Sequence, residues 1–190
     1  MSLPQAKELP IKLRIPRSED GPLVSSLVEE CPPLDPNSAY CNLLQCSHFA
    51  DTSVAADLKG ELVGFISGYI IPGRRDTLFV WQVAVGSKAR GQGLATKMLK
   101  DLLSRPETKH VTHIETTITE DNDASWNLFR GLAKKLGTSV KSSVMFDAEE
   151  HFDGEHDSEM LVRIGPVREV EKTSTPNNLF ALGKKQENRS

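Results

Sequence analysis

Arg90-Gly91-Gln92-Gly93-Leu94-Ala95 lies between an almost wholly apolar run, Thr77 to Val85, and an amphipathic one, Leu94 to Ser104. Residue types in this order suit the capture of an anion. Glycines let a ligand approach the backbone with no Cβ in the way. Successive N–H groups in such a turn converge, and a following helix adds its unbonded first amides and the positive end of its dipole. Lys88 and Arg90 add mobile positive charge. The dinucleotide pattern GxGxxG is not met, because its third glycine is missing. No Gly-Lys-Ser/Thr follows to make a triphosphate loop. Taken alone, the segment also fits a glycine-rich turn that merely starts a helix.

The elements that must position this loop are legible from periodicity. Ile11 to Ile15 alternates apolar and charged residues and predicts a first strand. Ser18 to Pro22 predicts a helix start, with Leu23, Leu27 and Val28 as the apolar face and Pro32-Pro33 as the stop. Asp35-Pro36-Asn37-Ser38 predicts a second helix start, followed by Tyr40, Leu43, Leu44 and Ser47 at helical spacing. Val54 to Leu58, a Lys59-Gly60 turn and Leu62 to Ile71 form a hairpin pattern. Thr77 to Val85 has the composition of a strand buried on both faces. Leu94, Met98 and Leu102 share one face of the helix after the loop.

Val111 to Ile118 predicts another strand. Asp121 or Asn122 caps a helix that runs to about Leu136 and closes on Gly137. Val140 to Phe146 and Glu159 to Ile164 predict two late strands joined by a polar, acidic loop. The class is α+β with a mixed central sheet flanked by helices. Residues 1–10 read as a flexible leader and 11–165 as one domain. Residues 166–190 read as a polar tail whose composition suits disorder.

Bulk properties narrow the function. Lys plus Arg number 23 against 26 Asp plus Glu, a net charge of −3, so no basic field favours nucleic acid. No apolar run reaches the length of a membrane span, and the first ten residues lack the apolar core of a signal peptide. Cys31, Cys41 and Cys46 show no CxxC spacing and read as reduced thiols of a cytoplasmic protein. They lack the His/Asp company of a nucleophile. His151 and His156 with nearby acids form no recognised ligand spacing, so no metal is expected. His48, His110 and His113 have no evident role.

The run Val83-Ala84-Val85-x-x-x-x-Arg90-Gly91-Gln92-Gly93-Leu94-Ala95 resembles the R/Q-x-x-G-x-G/A signature of the GCN5-related N-acetyltransferases. The strand before it, the later Glu115-Thr116-Thr117 strand and the Asp121-Asn122-x-x-Ser125 helix start follow the family's order over roughly Ile11 to Gly165. The resemblance implies a sheet splayed into a V at the Thr77–Val85 strand, with acetyl-coenzyme A in the V. Pantetheine would pair with the backbone of Val83, Ala84 and Val85. The pyrophosphate would rest on Arg90, Gly91, Gln92, Gly93, Leu94, Ala95 and Thr96. Asn122 and Phe129 would border the thiol end. Many members carry a tyrosine where this chain has Phe129, and a phenyl ring cannot protonate a leaving thiolate.

Further segments resemble one branch of that family, the diaminobutyrate acetyltransferases of ectoine biosynthesis. They are Cys31-Pro32-Pro33-Leu34-Asp35-x-Asn37-Ser38-x-Tyr40, Leu43-Leu44-x-Cys46-x-His48-Phe49-Ala50-Asp51-Thr52, Asp76 to Val85, and Glu115-Thr116-Thr117-x-Thr119-x-Asp121-Asn122. This implies acetylation of the 4-amino group of L-2,4-diaminobutyrate, and a homodimer. Such an acceptor carries two ammonium groups and one carboxylate, so its site needs anions or carbonyls beside the amines and donors beside the carboxylate.

The resemblance places Asp35, Tyr40, Trp81, Gln82 and Thr117 at the acceptor. Each has a plainer reading: Asp35 as a helix cap, Tyr40 as a core aromatic, Trp81 as packing. An alkyl amine is protonated in water, so the site must remove a proton before the nitrogen can attack. Glu115, set among Ile114, Thr116 and Ile118, is the first candidate base, acting through water, and His156 the second. The backbone of Val83 to Val85 is the expected oxyanion donor. Two alternatives stay open: transfer to another amine, such as a protein N-terminus, a polyamine or an aminoglycoside, and a non-catalytic acyl-coenzyme A-binding domain.

Overall fold

In the computed structural model, residues 11–168 are described. The expected leader, and the expected tail from residue 169 onward, lie outside them. Seven strands form one mixed sheet in the order β1-β2-β3-β4-β5-β7-β6. β1 (Lys12–Arg14) pairs antiparallel with β2 (Val54–Leu58), and β2 with β3 (Glu61–Ile70). Lys59 and Gly60 turn this hairpin with φ of 56° and 86°, the left-handed pair that a two-residue turn requires. β4 (Thr77–Val85) pairs antiparallel with β3. β5 (His113–Thr119), β7 (Glu159–Gly165) and β6 (Ser139–Phe146) complete the sheet in antiparallel pairs.

The β4–β5 contact is parallel and short. Only Thr77, Leu78 and Phe79 find partners, in His113, Ile114 and Glu115. Beyond Phe79 the two strands diverge, which leaves the β5-facing edge of Val80 to Val85 without a ladder. A bulge sharpens the departure: Ser67 pairs with Gln82 and Gly68 with Val80, so Trp81 has no opposite residue.

Among the described residues, five α-helices accompany the sheet. α3 (Leu94–Ser104) and α4 (Asp123–Leu136) cover one face, burying Leu94, Met98, Leu102, Phe129 and Leu132 against Ile66, Val80, Ile114 and Val162. α1 (Gly21–Glu29) and α2 (Ala39–Ser47) cover the other face at the β2–β4 end, around Phe65 and Ala84. Arg14 pins β1 to the start of α1 through Asp20 (2.6 Å) and back to β2 through Asp57 (2.6 Å). α4 begins with the Asn122 side chain accepting from the Ser125 N–H and ends on left-handed Gly137, as expected.

Four expectations change. In α1 the buried face is Val24, Leu27 and Val28, while Leu23 is exposed. In α2 the buried residues are Asn42, Gln45 and Cys46, and Tyr40 and Leu43 face solvent. Polar partners make that face possible, since Asn42 donates to Ser25 Oγ at 2.8 Å and to Pro36 O at 3.3 Å. β4 alternates instead of being buried on both faces, because one of its faces borders the opening of the V. The acidic loop contains a short helix, α5 (Ala148–Phe152), capped by Asp147. At the other end of the domain, Val167 donates to Thr112 O (2.8 Å) and Arg168 to Leu103 O (2.6 Å), so the expected tail starts packed on the domain.

Candidate active site

The divergence of β4 from β5 opens a cavity of about 590 Å³. Trp81, Gln82 and Val83 line it from β4, Thr116 to Thr119 from β5, and Asn122, Ser125 and Phe129 from α4. The α1–α2 loop contributes Asp35 and Asn37, the segment after α5 contributes Glu155, His156 and Asp157, and β7 contributes Glu159. Of the expected acceptor and catalytic residues, the fold brings together Asp35, Trp81, Gln82, Thr117 and His156. The charged side chains of the wall are acidic: Asp35, Asp121, Glu155, Asp157 and Glu159 line it, with no lysine or arginine. Such a wall attracts cations.

The α1–α2 loop is latched to β4. Gln82 donates Nε2 to Asp35 O (2.7 Å) and accepts at Oε1 from Asn37 Nδ2 (3.3 Å). Asn37 has φ 56°, an uncommon left-handed conformation for a side-chain-bearing residue. Its N–H binds Asp35 Oδ1 at 3.0 Å. Gln82 therefore spends its amide on fixing the loop, and Asn37 fixes the carboxylate of Asp35. Sequence reading marks Asp35 and Gln82 as site residues but gives Asn37 no role beyond a helix start and a resembling segment. Its only local signal is an Asx-turn composition.

Two expected residues stand elsewhere. Tyr40 is 69% exposed on the outer side of α2 and is neither a core aromatic nor part of the cavity wall. Glu115 is 1% exposed and is absent from that wall. Arg74 grips it with both terminal nitrogens, at 2.7 and 2.7 Å, and Arg163 binds Oε1 as well. Burial alone would raise its pKa, but the two guanidiniums outweigh burial and hold it below the ordinary carboxylate range. A carboxylate so committed is a poor proton acceptor. The expectation that Glu115 is the base is corrected on this ground.

His156 is placed better. Its Nδ1 lies 2.7 Å from Asp157 O. A carbonyl only accepts, so Nδ1 carries the hydrogen, and in the neutral ring Nε2 is then the acceptor. The ring packs at 4.8 Å from that of Phe152. Phe129 is a buried part of the cavity wall, contributed by α4.

Beyond the cavity, β4 leads into the glycine loop. Gly91 and Gly93 have φ of 73° and 70°, and a Cβ on either would meet nothing within 4 Å. The conformation, not crowding, requires glycine at both positions. Among the described residues no acceptor meets the amides from Gly91 to Thr96, and the first main-chain bond of α3 is Lys97 N–H to Gly93 O. Arg90 braces the loop through Nε to Val85 O (2.8 Å) and Nη2 to Cys31 Sγ (3.5 Å). The open amides form a cradle of the kind a diphosphate fills.

Comparison with known proteins agrees with this geometry. The sequence profile described as "Acetyltransferase (GNAT) family" matches residues 22–133. The L-2,4-diaminobutyric acid acetyltransferase of Methylotuvimicrobium alcaliphilum is 61% identical over 170 residues, 89% of this chain and 99% of that protein. The enzyme of the same name from Halomonas elongata is 50% identical over 84% of this chain and 83% of its own length. Among solved structures, diaminobutyrate acetyltransferase EctA from Paenibacillus lautus, in complex with its substrate L-2,4-diaminobutyric acid and coenzyme A, superposes with a TM-score of 0.80. Its identity is 40%, over 84% of this chain and 97% of that chain. Ard1 from Thermoplasma volcanium, 17% identical with a TM-score of 0.67, shares the fold.

Proposed function

Because the chain belongs to the acetyltransferase (GNAT) family, we propose that it moves the acetyl group of acetyl-coenzyme A to the 4-amino group of L-2,4-diaminobutyrate. The product, N4-acetyl-L-2,4-diaminobutyrate, is the compound that a separate enzyme cyclises to ectoine. One observation carries this reading: the strand that leads into the anion cradle at the head of α3 also lines, through Trp81 to Val83, a cavity that bears five carboxylates and His156. An anionic carrier and a cationic acceptor are thereby led to the same point from opposite ends.

In this reading the amides of Gly91 to Thr96 hold the diphosphate, and the unpaired edge of β4 aligns the pantetheine. Asp35 and its neighbouring acids draw in the ammonium groups. His156 Nε2 takes the proton that must leave the nitrogen. The neutral amine then attacks the thioester carbonyl, and a β4 amide receives the charge that develops on its oxygen. The carbon–nitrogen bond forms, the carbon–sulfur bond breaks, the nitrogen releases its second proton to solvent to become a neutral amide, and the departing thiolate takes a proton from solvent. The experiment is incubation of the protein with both substrates, with the product resolved by mass spectrometry and NMR. Acetyl on nitrogen 4 supports the reading; acetyl on nitrogen 2, or preference for a polyamine or a protein N-terminus, overturns it.

Two substitutions test its parts. Gly93→Ala places a side chain at φ 70°, a conformation costing about 1–2 kcal/mol, and sets a methyl beside the cradle. The Michaelis constant for acetyl-coenzyme A should rise about tenfold or more, with a smaller change in kcat. Phe129→Tyr should not raise kcat, since the ring is buried packing and not a proton donor. A faster enzyme with both Michaelis constants unchanged would contradict that assignment.

The reading extends to a cytoplasmic homodimer. Cys31, Cys41 and Cys46 are free thiols, which suits a reducing compartment. Edge strand β6 ends in exposed Val144, Met145 and Phe146, and an apolar end on an unpaired edge suits contact with a second copy. Sedimentation analysis decides between dimer and monomer.

A further inference from the structure

The cavity wall answers only part of the acceptor's charge. It offers carboxylates to two ammonium groups and no lysine or arginine to the acceptor's own carboxylate. The missing cation lies just outside. Glu115 precedes cavity-lining Thr117 by two residues on β5, so both project from one face, about 7 Å apart. Opposite them on β7 stand Arg163 and Leu161. Tyr69 bridges the two regions, with its ring 5.2 Å from Phe79 and 6.4 Å from Trp81. Phe79 itself pairs with Glu115. A continuous face therefore runs from Trp81 in the cavity to the guanidiniums.

The charges on this face do not cancel. Arg74 and Arg163 share the carboxylate of Glu115, Asp76 adds a second negative charge near Arg74, and exposed Lys141 pairs across from Arg163, so three cations face two carboxylates. Arg74 commits both terminal nitrogens to Glu115. Arg163 commits only Nη1, to Glu115 and Thr77. Among the described residues, its Nη2 and Nε have no acceptor. With 31% of its side chain exposed, Arg163 offers two parallel donors, the fork that matches a carboxylate.

Resting on the function proposed above, we infer that Arg163 binds the carboxylate of the acceptor. Arg74 and Glu115 act as positioning residues that set its orientation. Arg163 then makes the site selective for an amino acid over a plain diamine.

The test is steady-state kinetics of the full chain with acetyl-coenzyme A and three acceptors: diaminobutyrate, its carboxamide, and 1,3-diaminopropane, which lacks the carboxylate. The parent should prefer diaminobutyrate over both by about tenfold or more in kcat/KM, mainly through KM. Arg163→Gln should reduce that preference by a similar factor, and Arg163→Lys, which keeps charge without the fork, should fall between. A parent indifferent to the carboxylate overturns the inference, as does an Arg163→Gln variant that loses the same factor on every acceptor. Should Arg163→Gln fail to fold, the three parental acceptors and Arg163→Lys decide. A parent that acetylates none of the diaminobutyrate removes the functional reading and this inference together. Turnover without carboxylate preference removes only the role of Arg163.

Discussion

Replacing His156 with alanine is expected to lower kcat by about 10²–10⁴-fold, the usual worth of a positioned general base, with a much smaller effect on acetyl-coenzyme A binding. The expectation follows from what else the cavity contains. An ammonium acceptor drawn in by Asp35, Asp121, Glu155, Asp157 and Glu159 arrives charged and inert. Some group must take a proton before the nitrogen can attack. His156 presents the suitable atom, because its Nδ1 hydrogen is directed to Asp157 O at 2.7 Å, and in the neutral ring Nε2 then holds the accepting lone pair. Phe152 packs against the ring and limits its rotation. His156→Gln separates the roles, since glutamine can hydrogen bond but cannot accept the proton at neutral pH. Near-parental turnover in His156→Gln would assign the proton to another group. Recovery of His156→Ala by added imidazole would confirm that the missing element is a base. Alanine at the surrounding carboxylates should act instead on the acceptor's Michaelis constant.

Why Glu115 reads first in the sequence, and His156 only second, is instructive. A lone acid among Ile114, Thr116 and Ile118 demands a partner, and the periodicity of β5 states that demand. The partners are Arg74 and Arg163, which lie 41 and 48 positions away. Nothing local distinguishes a carboxylate buried for chemistry from one buried for two guanidiniums. By contrast, the glycine loop, its strand and its helix are contiguous, and their backbone requirements are local. The glycine loop at Gly91 and Gly93, a helix cap at Asp121 or Asn122 and the Gly137 stop are legible for that reason, although the left-handed backbone of Gly91 and Gly93 emerges only in the fold. The face of α2 is not, because apolar spacing points to Tyr40 and Leu43 whereas tertiary hydrogen bonds bury Asn42 and Gln45. The latch from Gln82 to the Asp35 loop spans 47 positions, so its purpose emerges only from the fold.

The same ion cluster sets the dependence of stability on acid. Glu115→Gln should destabilise the protein at neutral pH by about 2–3 kcal/mol. Removing one partner of a buried ion pair costs roughly 3–5 kcal/mol. The lower figure applies here because Arg74 and Arg163 remain 47% and 31% exposed and can rehydrate. Glu115 is held below its ordinary pKa in the folded state. Its contribution is therefore complete above the unfolded carboxylate value, about 4.3, and fades as pH falls through the lower folded value. Urea denaturation of the parent and Glu115→Gln should show the full gap at pH 7 and a narrower one near pH 3. A gap of equal size at both pH values would mean that packing, not charge, supplies the difference. Turnover of the folded fraction, measured at saturating acceptor, carries the mechanistic half of the argument. A base at Glu115 would drop kcat as steeply as the loss of His156. A carboxylate that only holds two arginines in place would change kcat far less and act mainly on the acceptor's Michaelis constant.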